Sequence, residues 1–207
     1  SARVYAFEPV GELCATLREN SRLLAGTVQV YDYGLGEREE EVEFTYYERY
    51  TMMSGQRAYA NAALEVAVIE SYLRQEQERG AAGAEQLLAH AEELLAGRFE
   101  GRSEQCRLRR LSAVLREAGV GEITLLKVDV QRAELAVLRG IDEEQWGQIR
   151  QVVMEVHDEV GGASEGRCEE LRQLLAERGY AVVIEQDELL AGTDRYNLYA
   201  VQQSWDG

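Results

Sequence analysis

The 207-residue sequence predicts an α/β fold in which helices cover both faces of a mainly parallel β-sheet. Short apolar strand patterns alternate with amphipathic helical patterns, and several helical patterns end at a glycine. The last two strand patterns follow each other without a helix between them, which favours an antiparallel pair at the end of the sheet. The length suits one α/β domain and no internal repeat occurs, so we predict a single domain over residues 1–207.

The first 47 residues predict three strands and one helix. An apolar strand ends at Glu8, and Pro9 suits the first turn of the helix that follows. The next strand pattern is stopped by Gly34-Leu35-Gly36, and an alternating pattern then predicts a third strand. The predicted bounds are 3–7, 27–33 and 41–47 for the strands and 10–20 for the helix.

Residues 58–98 interrupt the alternation of strands and helices. Leu64, Val68 and Tyr72 share one helical face, a second apolar face lies at 87–95, and the glycines at 80–83 separate the two. We predict a helical insertion that forms either a lid or an interaction surface.

The alternation resumes after residue 110. Helical patterns end at Gly119, Gly140 and Gly179, and glycine is common just past the end of a helix. The strand patterns occupy residues 123–128, 152–156, 180–184 and 196–201. We expect the last two strands to pair with each other in antiparallel orientation.

The composition limits the classes of binding partner and indicates the cellular compartment. The net charge is −16, so the chain should repel nucleic acid and anionic membranes, and we expect neither as a partner. No apolar run is long enough to span a bilayer. The three cysteines (Cys14, Cys106 and Cys168) form no CxxC pair, which argues against a disulfide framework or a zinc site and favours a cytoplasmic location.

Titratable and polar residues gather at the carboxyl ends of the predicted strands. In open α/β sheets, ligands bind beyond those ends, so this edge is the predicted site. The residues there are Glu8, Asp32, Asp129, Gln131, Glu134, Glu155 and His157.

Glu8 and the glycine turn after the second predicted strand each have two interpretations. Glu8 could accept hydrogen bonds from a ribose diol, or it could simply be an acid favoured near a helix N-terminus. The Gly34-Leu35-Gly36 turn is not a GxGxxG motif and predicts no phosphate loop. It is either an ordinary tight turn or the surface on which a flat base packs.

His157 is the candidate general base. A neutral imidazole at a strand end can accept a proton near pH 7 if a carboxylate fixes its tautomer, and Glu134 or Asp129 could do so. A capping or partly exposed histidine is the alternative. Asp129, Glu155 and His157 could also form a metal site, but their spacing does not require one, and we expect no metal.

Ordered motifs resemble those of FkbM-type methyltransferases. Residues 4–9 (VYAFEP) resemble that family's AFEP motif, residues 126–134 (LKVDVQRAE) its LKxDVEGAE run, residues 138–140 its VLxG, and residues 153–157 its EVH strand. Residues 33–36 and 53–55 also occur in family order. The tail, from residue 185 to residue 200, is similar to O-methyltransferase domains embedded in polyketide and nonribosomal peptide synthases.

The resemblance implies a Rossmann-like class I fold, with an antiparallel last strand, that binds S-adenosylmethionine as the methyl donor. Glu8 matches the residue that binds the cofactor ribose. Asp32, Gly34 and Leu35 would lie near the adenine, and Asp129 would lie beside the methionine part of the cofactor or beside the acceptor.

The same resemblance implies the catalytic and acceptor-binding residues. His157 would deprotonate an acceptor hydroxyl and would be oriented by Glu134, with Asp129 nearby. Ser54, Gln131 and Asn197 lie in matched motifs and would contact the acceptor. The oxygen would then attack the methyl group of the sulfonium in line, and most of the rate would come from holding the two centres close and aligned.

The sequence departs from the family pattern at two places. Gln131-Arg132 stands where the family has Glu-Gly, which removes a carboxylate and weakens the metal interpretation further. The family's first strand and its glycine-rich loop, which precede the strand at residue 4, are absent from the sequence. Either upstream residues supply them, or the chain binds the cofactor poorly. We favour the first explanation, because a sheet without its central strand leaves backbone groups unpaired.

The resemblance implies an O-methyltransferase that acts on the β-hydroxyl of an acyl chain in polyketide biosynthesis. The expected partners are an acyl carrier protein and neighbouring synthase domains. Arg107, Arg109 and Arg110 could form a basic docking patch, although a solvated face is the preferred interpretation.

Two other classes of function remain open at this point. One is a degenerate methyltransferase that serves as a structural or binding module. The other is a doubly wound domain of another class, such as half of a dehydrogenase or a receiver domain, against which the tail strands and the ordered motifs argue.

Overall fold

The computed structural model describes residues 3–24, 27–95 and 97–205. The helices are α1 (Gly11–Ser21), α2 (Ala62–Glu78), α3 (Ala84–Ala89), α4 (Ala91–Leu95), α5 (Leu111–Ala118), α6 (Glu134–Arg139) and α7 (Arg167–Ala176). The strands are β1 (Val4–Phe7), β2 (Val28–Tyr31), β3 (Gly34–Leu35), β4 (Glu40–Tyr46), β5 (Gly55–Gln56), β6 (Arg102–Arg109), β7 (Leu126–Val128), β8 (Gln151–His157), β9 (Tyr180–Glu185) and β10 (Arg195–Gln202).

The C-terminal sheet has the strand order β7-β8-β10-β9. β7 and β8 are parallel, whereas β10 is antiparallel to both β8 and β9, as the sequence predicts for the last pair. Val152, Met154 and Val156 alternate along β8 and are fully buried. They pack with apolar residues of α5, α6 and α7 in the larger hydrophobic core. Burying each such side chain contributes about 1.5–3 kcal/mol.

The N-terminal strands form a separate parallel pair. β1 pairs with β2 in the register Val4 opposite Val28, and α1 connects the two strands. The predicted strand over 27–33 is shorter than expected, because the chain turns after Tyr31 and Gly34–Leu35 join a different sheet. α1 buries Cys14, one turn after the buried Val10.

A third sheet, in the order β3-β6-β4-β5, contains a strand that the sequence did not reveal. β6 pairs with β4 over seven antiparallel positions. Only Cys106 and Leu108 of β6 are buried, and they alternate with charged or polar residues. Such a pattern gives a weak strand signal until β4 supplies the partner. The predicted third strand is confirmed as β4.

The mainly parallel strands therefore do not form one continuous sheet in the described part of the chain. β1 pairs with β2 alone and β7 pairs with β8 alone, because no described strand lies between β1 and β7. Residues of β1 and β7 border the same cavity.

The predicted insertion over residues 58–98, of which residue 96 lies outside the described residues, is helical. α2 is continuous, whereas the second predicted helix is split into α3 and α4 at His90. The side chain of Gln75 on α2 donates to the carbonyl oxygen of Ala191 at 3.0 Å, so α2 packs on the loop between β9 and β10. No helix among the described residues has the length and apolar character needed to cross a membrane.

Candidate active site

A cavity of about 420 Å³ opens where β1 and β7 end. β1 contributes Glu8 at its carboxyl end, and β7 contributes Asp129, so two strands from different sheets place carboxylates at one space. Of the predicted site residues, the wall contains Glu8, Gly34, Leu35, Ser54, Asp129 and Gln131. The strand ends meet at one edge, as the predicted α/β architecture requires.

Glu8 presents a partly buried carboxylate to the cavity. Its Oε1 accepts the backbone N–H of Val10 at 2.9 Å, and the described residues provide no hydrogen-bond donor to Oε2. Burial raises the pKa of the Glu8 carboxyl, and the Val10 hydrogen bond offsets only part of that effect. A carboxylate with one anchored and one free oxygen can accept hydrogen bonds from a diol.

The turn after β2 brings glycine close to the cavity wall. A Cβ on Gly34 would lie 2.8 Å from Cδ2 of Leu108 and 3.4 Å from Cγ of Pro9, so a larger residue would displace Leu108. Asp32, which was also predicted to lie near the adenine, does not line the cavity. It is exposed and forms an ion pair with Arg18 at 3.0 Å.

The segment after β7 carries the other predicted polar residues. Asp129 forms a partly exposed ion pair with Lys127 at 3.3 Å, and both residues line the cavity. Gln131 and Arg132 adopt φ angles of 46° and 71°. Non-glycine residues in this left-handed region cost about 1–3 kcal/mol each, so other contacts must stabilise the turn. Gly55 packs against this turn, because a Cβ there would lie 3.1 Å from Cβ of Gln131.

His157 and Glu134 are in contact and fully buried. Nδ1 of His157 lies 2.9 Å from Oε1 of Glu134, and the same oxygen accepts the Arg132 N–H at 2.8 Å. Nε2 of His157 has no hydrogen-bond partner among the described residues, and Oε1 of Glu155 lies 3.6 Å from it. Neither His157 nor Glu134 is part of the cavity wall.

A buried charge cluster lies beside this pair, and the sequence interpretation missed most of it. Arg132 contacts Glu65 at 2.6 Å and Asp194 at 2.8 Å. Arg195 contacts Glu65 and, at 2.9 Å, Glu155. These residues come from α2, the turn after β7, β8 and the start of β10, so spacing along the chain could not reveal the cluster. The one available signal was Arg132 at the position where the resembling motif has glycine.

Two further predicted features lie outside the cavity. Asn197 is on β10 opposite Glu155 in the strand register and does not line the wall. The candidate basic residues are already paired: Arg109 contacts Glu117 at 2.6 Å, and Arg110 contacts Asp142 at 2.6 Å. Arg107 contacts Glu39 at 3.4 Å. They therefore do not form a free cationic patch.

The metal interpretation of Asp129, Glu155 and His157 receives no geometric support. Over residues 3–24, 27–95 and 97–205, no group of three or more histidine, cysteine, aspartate or glutamate side chains is arranged to hold a metal ion. Glu155 is engaged by Arg195, and Asp129 by Lys127.

Comparison with known proteins gives consistent matches. The model of the methyltransferase FkbM domain matches residues 1–182. The chain is 46% identical over 204 residues to the AMB antimetabolite synthetase AmbE of Pseudomonas aeruginosa, covering 99% of this chain and 10% of that protein. It is 33% identical over 199 residues to the 31-O-demethyl-FK506 methyltransferase FkbM of Streptomyces tacrolimicus, covering 95% of this chain and 70% of that protein.

A solved structure shares the fold. The crystal structure of methyltransferase FkbM from Methylobacillus flagellatus KT aligns with a TM-score of 0.51 at 14% sequence identity, covering 96% of this chain and 36% of that chain. This chain thus spans about a tenth of AmbE and about a third of the solved structure, and most of FkbM from Streptomyces.

Proposed function

The chain belongs to the FkbM methyltransferase family, and we propose that it transfers a methyl group from S-adenosylmethionine to a hydroxyl oxygen. The observation that carries this proposal is the cavity between β1 and β7, onto which Glu8 and Asp129 both face. Its volume of about 420 Å³ is in the usual range for small-ligand sites. The Streptomyces relative is a 31-O-demethyl-FK506 methyltransferase, which supports an oxygen acceptor for this chain.

The residues present fit a nucleoside cofactor at the β1 side. The free Oε2 of Glu8 is an acceptor for a ribose diol. Gly34 and Leu35 line the neighbouring wall, against which a flat base could pack, and the lack of a Cβ on Gly34 leaves room there for the side chain of Leu108. We assign this end to the adenosine and the Asp129 end to the methionine part and the acceptor.

When bound, S-adenosylmethionine supplies an electrophilic methyl group. The chain would contribute orientation: Glu8 at one end would hold the cofactor, and Asp129 with Gln131 at the other end would position the acceptor, and most of the rate enhancement would come from keeping the two close. Ser54 also lines the acceptor end, where its hydroxyl oxygen accepts the Tyr47 N–H at 3.0 Å.

We propose that His157 accepts the proton of the acceptor hydroxyl. The carboxylate of Glu134 can only accept at Nδ1, so Nε2 is left as the basic nitrogen. This role requires the acceptor, or a bridging water, to reach Nε2 past the cavity wall. Asp129 is the second candidate base, because its carboxylate already lies on that wall.

A carrier-bound β-hydroxyacyl chain is the proposed acceptor, with polyketide biosynthesis as the setting. The chain matches a tenth of a synthetase, which supports a domain that works beside others on a tethered substrate. The arginines at 107, 109 and 110 are paired with carboxylates, and acyl carrier proteins are usually acidic. Tethering would raise the effective concentration of the substrate and lessen the need for a basic docking patch.

The test begins with calorimetric titration of S-adenosylhomocysteine into this chain and into a version extended upstream. Radiolabelled methyl transfer to 3-hydroxybutyryl-pantetheine, free and on a carrier protein, then follows for the wild type, His157→Ala and Asp129→Asn. A loss of transfer that is much larger in His157→Ala than in Asp129→Asn supports the proposed base. The reverse pattern assigns Asp129, and absence of cofactor binding in both proteins favours the degenerate module.

A further inference from the structure

Glu65 connects the helical insertion to the interior of the protein. It lies in the first turn of α2 and is only 4% exposed. Its Oε1 contacts Arg132 at 2.6 Å, and its Oε2 contacts Arg195. One carboxylate of the insertion is therefore shared by two buried guanidinium groups.

The two arginines lead to different parts of the candidate active site. Arg132 belongs to the left-handed turn that places Gln131 on the cavity wall. Arg195 holds Oε1 of Glu155 at 2.9 Å, and the same oxygen lies 3.6 Å from Nε2 of His157. Glu65 thus contacts the turn directly, and three successive contacts, through Arg195 and Glu155, connect it to the imidazole.

We propose that Glu65 is a positioning residue for the methyl transfer proposed above, acting on the acceptor end of the cavity through Arg132 and on His157 through Arg195 and Glu155. The helical insertion then contributes to the geometry of the active site and does not only cover it. This inference depends on the proposed function for its catalytic consequence, but the contacts themselves are independent of it.

Charge explains why Glu65 controls position. Arg132 and Arg195 both contact Glu65, so their positive charges are close together in a buried region of low dielectric. Without the shared carboxylate the two guanidinium groups repel each other. Each keeps one partner, Asp194 for Arg132 and Glu155 for Arg195. Neither charge is orphaned, so the protein can fold while the two arginines, and the groups they hold, shift.

The test compares Glu65→Gln with Glu65→Asp and with Glu70→Gln. Glu70 lies on the same helix but forms an exposed ion pair with Arg74 at 3.0 Å, which makes it a matched control. With 3-hydroxybutyryl-pantetheine as the acceptor, we expect Glu65→Gln to lower kcat at least tenfold while the Kd of S-adenosylhomocysteine changes less than threefold. We expect Glu65→Asp to recover part of kcat, and Glu70→Gln to match the wild type.

A second readout does not depend on activity. The chain has only two histidines, His90 and His157, so their imidazole nitrogen resonances are simple to assign after ¹⁵N-histidine labelling. His90 is exposed and lies between α3 and α4 of the insertion. We expect Glu65→Gln to shift the resonances of His157 and to leave those of His90 unchanged, and we expect Glu70→Gln to leave the resonances of His157 unchanged.

The outcomes separate this inference from the proposed function. If Glu65→Gln shifts the His157 resonances but the wild-type protein transfers no methyl group, the coupling of Glu65 to His157 is supported and the proposed function is contradicted. Normal kcat and unshifted His157 resonances in folded Glu65→Gln overturn the inference and leave the function intact. If Glu65→Gln does not fold, Arg132→Gly tests the same link, because glycine tolerates the φ of 71°. Arg132→Gly should lower kcat without weakening the binding of S-adenosylhomocysteine, and an unchanged kcat would contradict the proposal.

Discussion

Gly140 and Gly36 meet backbone to backbone. A Cβ on Gly140 would overlap the carbonyl oxygen of Gly36, so the chain that leaves α6 passes directly against the loop that follows β3. Gly36 also donates its N–H to the carbonyl oxygen of Arg109 at 3.0 Å, which ties the same loop to β6. The contact therefore joins the third sheet to the C-terminal half of the chain, and it gives a physical reason for glycine at the end of the 138–140 motif.

Replacing Gly140 with alanine should destabilise the protein. The new methyl group meets a carbonyl oxygen of the backbone, which cannot move aside as a flexible side chain would. Overpacking of this kind costs about 1–3 kcal/mol. Urea unfolding followed by circular dichroism measures the change. Gly147→Ala is the control, because nothing lies within 4 Å of its added Cβ. Equal urea midpoints for Gly140→Ala and Gly147→Ala would contradict the close contact between Gly140 and Gly36.

Glu8→Gln should weaken the binding of S-adenosylhomocysteine tenfold or more and yet stabilise the ligand-free protein at neutral pH. A glutamine loses the charge-assisted hydrogen bonds to the ribose, each of which is worth about 1.5–3 kcal/mol. It also avoids the burial of an ionised carboxylate, which is the main cause of the raised pKa of Glu8. Calorimetric titration and thermal melting measure the two effects. Unchanged affinity would end the ribose assignment.

The stability effect of Glu8 has a definite pH sign. Because the pKa of Glu8 is raised on folding, the folded state binds the proton more tightly, and stability falls as pH rises from the ordinary glutamate pKa of 4.5 through the raised pKa. Glu8→Gln should remove this fall. In contrast, the hydrogen bond from Arg102 lowers the pKa of exposed Glu12, so Glu12→Gln should not mimic it. Melting curves of both variants across pH 4–8 make the comparison.

His157→Ala should abolish most methyl transfer, a loss of roughly 10²–10⁴-fold if the imidazole is the general base. Because His157 is fully buried against Glu134, the variant should also lose about 1–3 kcal/mol of stability as the carboxylate loses a partner. Rates must therefore be measured on the folded fraction. His90→Ala, at an exposed position, should retain wild-type transfer. Near-normal turnover of folded His157→Ala would rule out the base assignment.

Treatment with EDTA should leave methyl transfer unchanged. Glu155 is engaged by Arg195, Asp129 by Lys127 and Glu134 by His157, and the described residues present no cluster suited to a metal ion. The assay uses the same labelled methyl transfer with and without the chelator, followed by added Mg²⁺, Mn²⁺ or Zn²⁺. A loss of activity that one of these ions restores would contradict a metal-free mechanism.

Local patterns predicted the elements whose side chains alternate or repeat clearly. The helix at 111–118 ends at Gly119 in a left-handed conformation, as its position predicted, and β9 and β10 pair as expected. The charged strand β6 was missed, because two buried side chains among arginines and glutamates give little periodic signal. The parallel strand pairs are distributed over three sheets, and this arrangement depends on contacts between distant segments, which no short stretch of sequence contains.

The α/β class and the two carboxylates that border the cavity, Glu8 and Asp129, were predictable from the sequence, because they follow from short-range periodicity and from position at a strand end. The family was indicated by the resemblance of ordered motifs. Only the tertiary structure decided that Asp32 faces outward to Arg18, that His157 is sealed behind the cavity wall, and that Glu65 joins two arginines. These relationships are set by burial and by the pairing of charges across distant segments. For His157 and the Glu65 cluster, the interaction energies also depend on the low dielectric of the interior, which exists only after the chain has folded.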